Sequence, residues 1–208
     1  MIDVKKEIRL AFSENKIAFI TAFVILFSSM ILGYVFEMEL QSYLNPVVDD
    51  LSNKVQSGVI RLTFPIIFLN NFRIISSMFA LGILFCFSAI ILSFNGFFTG
   101  YYIASADNLF ITLLLIVPHG IFEFSSCIIA CMSGFVLFHF MVLFFYKLFA
   151  KKDSNIKQRI VTSFDLSFPK LKQAVILFVV ALILMIIAGI VEVYLTVPFA
   201  KLVLSFFS

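Results

Sequence analysis

The residues best placed to do chemistry form one string: Pro118, His119, Gly120, Ile121, Phe122 and Glu123. On a helix, an imidazole and a carboxylate four positions apart share a face, so His119 and Glu123 can pair with each other or approach a common metal ion. Wound from Pro118 at about 100° per residue, Ser126, Cys127, Cys131, Ser133 and Gly134 fall on that same face. Phe124, Ile128, Ile129, Met132, Phe135 and Val136 fall on the opposite face, which is fit for lipid. A metal needs more than two ligands. His139 stands about 30 Å away along a straight helix, which leaves Cys127, Cys131 or Asp107 to complete a site. The chain has no His-Glu-x-x-His pattern, no readable serine triad and no glycine-rich phosphate loop. Three readings stay open for the pair: a structural contact between helices, a step in a substrate or ion pathway, and a metal or catalytic centre. The first is preferred, so neither enzyme activity nor a cofactor or metal is expected.

The elements that must hold these residues are set by composition. The chain has 208 residues, 62% hydrophobic and only 13% charged, with a mean hydropathy of +1.11. Soluble domains carry about 25% charged residues, and this chain has too little polar material to coat a globular surface. An all-α, polytopic transmembrane bundle follows, because helices satisfy their own backbone in lipid. The net charge of +3 gathers in short stretches beside apolar runs, so it speaks for orientation in the bilayer and against nucleic acid. Cys86, Cys127 and Cys131 sit inside apolar runs and lack the spacing of a disulfide framework or zinc module.

Apolar runs predict spans at 17–36, 74–94, 97–117, 121–145 and 175–194 in one integral membrane domain, 1–208. The first reads as a retained anchor. Lys5, Lys6, Arg9 and Lys16 precede it, and Lys147, Lys151, Lys152, Lys157, Arg159, Lys170 and Lys172 lie between the last two. Both stretches are expected in the cytoplasm, with the acidic segment after Glu37 outside. An odd number of crossings must then separate that segment from the loop after Phe145. The stretch 97–117 supplies the needed crossing as a broken segment with Asp107 at depth, and the C-terminus is expected outside. Charge at membrane depth costs about 2.5–3.5 kcal/mol on insertion scales, so Asp107 is expected to face protein or a cavity.

The connecting segment 40–62 is expected to be an amphipathic outer helix starting at Asn45 and Pro46, with Leu40, Leu44, Val47, Val48, Leu51, Val55 and Val59 on one side. A basic N-terminal stretch carrying Ile8 and Phe12 is expected to lie along the inner surface. Asn70 and Asn71 are ready caps for the second span, and Arg73 beside them is either a snorkelling anchor or a partner for Glu123. Asn95, Gly96 and Gly100 fit an Asn-Gly turn or a close Gly-x-x-x-Gly helix contact. Glu192 is expected to reach the outer interface.

Asn70-Asn71, Asn95-Gly96 with Gly100, and above all Pro118-His119-Gly120-x-x-Glu123 resemble the stage II sporulation protein M family, over essentially the whole chain. The resemblance implies a polytopic membrane protein. In endospore formers, such a protein acts in engulfment as the membrane member of a complex with two peptidoglycan-degrading proteins, holding the hydrolases without being one. Relatives also occur in bacteria and archaea that do not sporulate, so a sporulation role is implied only for a spore-forming host. The expected function is a non-enzymatic scaffold that binds itself or other membrane and envelope proteins. The competing expectation is a transporter or channel with a pathway through Asp107, His119 and Glu123.

Overall fold

The computed structural model describes residues 3–57, 63–84, 86–150 and 155–206, and all regular structure among them is helical. The helices are α1 (Val4–Glu14), α2 (Lys16–Val35), α3 (Glu37–Gln56), α4 (Phe64–Ala80), α5 (Phe87–Ala104), α6 (Leu109–Ala150), α7 (Ile156–Tyr194) and α8 (Thr196–Leu204), with a 3-10 turn at Leu81–Ile83. Five helical stretches are long and apolar enough to cross a membrane: Lys16–Val35, Phe64–Ile83, Phe87–Ala104, Leu109–Ala150 and Ile156–Tyr194.

The helices α6 and α7 begin well before the expected 121 and 175, and the second and third expected spans are not single helices. The run 74–94 is not one helix, because the chain turns between Leu81 and Cys86. Hydropathy cannot register a turn built from Leu81, Gly82, Ile83 and Leu84. The turn is closed from within: Ser88 Oγ donates to the Met78 carbonyl at 2.5 Å, and Gly82 lies against the backbone of Gly134. Likewise 97–117 is not a broken span with Asp107 at depth. α5 stops at Ala104, and Asn108 Oδ1 accepts from the Ile111 amide at 3.1 Å. That bond supplies one of the orphan donors at the start of α6. Asp107 is therefore an exposed residue of the α5–α6 turn, and 109–117 runs unbroken into the helix that carries His119.

α6 is the hub of the bundle. It has 42 residues, about 63 Å at 1.5 Å per residue, roughly twice the hydrocarbon thickness of a bilayer. α7 pairs with it antiparallel, and Ser126 Oγ donates to the Ala181 carbonyl at 2.7 Å while Lys147 Nζ donates to the Leu166 carbonyl at 2.8 Å. Because α2, α4, α5 and α8 also touch α6, its supposed lipid face is covered. Ile128 is 5% exposed, Met132 0% and Val136 2%. A polar face with an oily back was the wrong picture for a central helix.

α4 runs antiparallel to α7, with Phe64 against Gly189 and Phe79 stacked on Phe178 at 4.6 Å between ring centres. α2 and α5 run side by side in one direction: Gly96 meets Leu26 and Ser29, and Gly100 meets Met30 and Tyr34. Asn95 and Gly96 thus belong to a close helix contact and form no turn. Asn70 and Asn71 are not caps, since α4 begins at Phe64 with Thr63 before it and Pro65 in its first turn. α3 begins directly after α2 and runs through Pro46, so Asn45-Pro46 is not its start. Leu40, Leu44 and Val48 face the bundle more than their neighbours do, as a helical stripe requires, and Tyr101 Oη donates to Asn45 Oδ1 to tie α3 down. Residues 58–62, Lys151 and Lys152 lie outside the described residues.

α1 lies along α7, joined by a polar knot. Gln173 Nε2 donates to Glu14 Oε2 at 2.8 Å, Lys170 Nζ to the same oxygen at 3.0 Å, and Asn15 Nδ2 to Gln173 Oε1 at 2.9 Å. The hydrogen bonds from Gln173 and Lys170 hold the Glu14 carboxyl below its ordinary value of 4.5. A carboxyl lowered by folding contributes stability that is full above its unfolded pKa and is lost as pH falls through the folded one. Corrected for intrinsic rates, hydrogen exchange of the α1 amides should be flat from pH 7 to 5 and rise below about pH 4. Glu14→Gln should erase that rise. An acid-independent profile in the unaltered protein would remove the assigned role of Glu14.

Candidate functional site: a polar pocket where α5, α6 and α7 meet

Pro118 sits inside α6 and has no N–H to donate to the Leu114 carbonyl, so the helix is locally loosened there. His119 follows at once. Its Nδ1 lies 3.3 Å from Thr196 Oγ1, and the Thr196 hydroxyl itself donates to the Val191 carbonyl at 3.1 Å. When the Thr196 proton lies on the Val191 carbonyl, the Thr196 oxygen accepts from Nδ1–H, the tautomer that leaves Nε2 as the bare nitrogen of the ring. Thr196 opens α8, so the short helix after α7 fixes the imidazole.

Glu123, one turn further along α6, is on the same face as expected, and Glu192 of α7 joins them. One ligand atom from each of His119, Glu123 and Glu192 lies within 4.8 Å of the others. The three open on a cavity of about 340 Å³ that Phe98, Thr99 and Tyr102 of α5 close from one side. Thr99 Oγ1 donates to the Asn95 carbonyl at 2.9 Å, which gives Asn95 a positioning link to the pocket wall.

The other expected site residues fall elsewhere. Asp107 is in the exposed turn and is not part of the pocket wall. Cys127 and Cys131 are buried in the core below, 1% and 0% exposed. Gly120 is buried in α6 beside the Ile116 and Phe124 side chains and does not line the cavity. Gly96 and Gly100 serve the α2 contact. Asn71 is buried in α4, and Asn70 beside it is exposed. Glu192, which the sequence reading placed at the outer interface, is the member of the cluster that it did not join to His119 and Glu123. Its signal was an acid late in the final apolar run, at the depth that antiparallel pairing gives to the Pro118 string.

The architecture is that of a polytopic membrane protein: a five-helix bundle around one long hub helix, with a polar pocket near one end. The chain belongs to the stage II sporulation protein M family, which it matches over residues 19–197. Of the Pro118 to Glu123 string that carried the resemblance, His119 and Glu123 line the pocket. The chain is also similar to an uncharacterized protein of Methanocaldococcus jannaschii, 34% identical over 180 residues that span 84% of this chain and 93% of the other. No solved structure matches it.

Proposed function

We propose that the protein is a non-enzymatic scaffold of the cell membrane that binds other membrane or envelope proteins and copies of itself. The observation that carries this reading is the open face of α4. Ile66, Leu69, Asn70 and Arg73 recur at helical spacing and are exposed, and Arg73 has no hydrogen-bond or ion-pair partner among the described residues. Arg73 stands well inside a helix long and apolar enough to span. A guanidinium facing lipid at that depth costs about 2.5–3.5 kcal/mol, and a neighbouring chain with an acceptor or carboxylate relieves the cost. One turn on, Ser76 Oγ is buried with no hydrogen-bond partner among the described residues.

We read the orientation from the basic stretches that packing brings together. α1 docks on α7 through Lys172 to Glu7 at 2.7 Å, so the basic N-terminal stretch and the basic start of α7 share one end of the bundle. That end belongs in the cytoplasm by the positive-inside bias, which puts the C-terminus and the pocket on the outer side. In a spore-forming host, the family role in engulfment would apply. The transport reading loses support from the same packing. Asp107 is away from the pocket, and below Glu123 the hub helix is closed by Ser126, Cys127 and Cys131, each at most 1% exposed.

Native mass spectrometry from membranes tests the proposal. The protein should appear as an oligomer or with a stoichiometric partner, and Arg73→Leu should release monomer, shifting the equilibrium by roughly 100-fold if the relieved cost is about 3 kcal/mol. A strictly monomeric wild-type protein with no stoichiometric companion would sink the scaffold reading.

A further inference from the structure

We propose that His119, Glu123 and Glu192 bind one first-row divalent cation, Zn²⁺ by preference, clamping α6 to α7 beside the start of α8. The first support is composition and distance: one imidazole and two carboxylates with ligand atoms within 4.8 Å of one another. Metal–ligand bonds of about 2.0–2.2 Å bring such atoms closer together, a gap that side-chain rotation can close. The second is charge. Neither carboxylate has a hydrogen bond or ion pair to any described residue, and no Lys or Arg lines their cavity. Two carboxylates so placed in an apolar bundle repel each other when both are ionised, and a dication removes that repulsion. The third support is independent of the acids. His119 Nδ1 is engaged by Thr196 Oγ1, whose proton is held by Val191. Metal-binding imidazoles are oriented in this way through the nitrogen that does not touch the metal. One nitrogen and two oxygens suit zinc and its neighbours in the first row better than calcium, which takes six to eight oxygens. Three protein ligands leave a position open toward the cavity and Tyr102, so water or a partner's side chain can complete the shell. The inference does not depend on the scaffold reading.

The test uses the full-length protein purified in detergent without chelators, incubated with Zn²⁺, freed of unbound metal and analysed by mass spectrometry for metal content. About one zinc per chain is expected, with zinc raising the thermal midpoint. Glu123→Gln, Glu192→Gln and His119→Ala should each lose the metal and the zinc-dependent shift while keeping the metal-free midpoint. Thr196→Val should weaken binding about 10- to 100-fold without abolishing it. If one ligand variant fails to fold, the remaining two and Thr196→Val decide. Less than about one zinc per ten chains in the wild type overturns the proposal, as does equal zinc content in wild type and Glu192→Gln.

Discussion

Gly100→Leu is expected to cost the fold about 3 kcal/mol, at the upper end of overpacking penalties, and to lower the thermal midpoint by roughly 6–12 °C. The reason lies in backbone geometry. A Cβ at Gly100 would collide with the carbonyl of Met30 and come within 3.0 Å of the Tyr34 amide nitrogen, and a Cβ at Gly96 would lie 2.6 Å from the Leu26 carbonyl oxygen. α2 and α5 touch backbone to backbone, and no rotamer change can make room. Gly120→Ala is a contrasting control, since the nearest atoms to its Cβ are side-chain atoms of Ile116 and Phe124 at 3.3 Å. The protein has no tryptophan, so unfolding is best followed with a thiol-reactive dye. Cys127 and Cys131 are buried and Cys86 is exposed, and a Cys86→Ser background reports core opening alone. A Gly100→Leu midpoint within about 2 °C of that background would mean the crossing is looser than described.

Gln173→Leu comes next in size. Gln173 is 3% exposed and joins three elements, donating to Glu14 while accepting from Asn15 and Lys170. Leucine has similar volume but leaves Asn15, itself 7% exposed, with the Ala11 carbonyl as the remaining acceptor for its amide nitrogen. Breaking a buried hydrogen-bond set with a charged member costs about 2–3 kcal/mol, roughly 4–12 °C in midpoint. Lys172→Met should barely register, because its pair with Glu7 is partly exposed and such pairs are worth under about 1 kcal/mol. If the two variants melt together, the knot does not hold α1 and α2 onto α7. Loss confined to Gln173→Leu locates the stability where the hydrogen bonds converge.

Much of this architecture was legible from local chemistry. Transfer into lipid is a property of each segment, so the number of long apolar helices was readable without any knowledge of packing. The i, i+4 relation of His119 and Glu123 is likewise internal to one helix. Asp107 misled because a charge between apolar residues reads as depth, although the next residue, Asn108, is a good helix cap. The turn after Leu81 carried no polar signal at all. The exposure of Ile128, Met132 and Val136 could not be judged from a helical wheel, which shows what a face is made of but not what covers it.

The sequence alone determined a helical membrane protein, the number of its long apolar helices and two members of the polar cluster, because each is fixed by residues close together in the chain. Only tertiary structure decided that α6 is the hub, that Arg73 has no partner among the described residues and that Glu192 meets His119 and Glu123. Those facts depend on the register of α7 against α6, set by contacts such as Ser126 to Ala181 between residues far apart in the chain. A shift of one helical turn would move Glu192 by about 5.4 Å, more than the 4.8 Å within which the cluster is held.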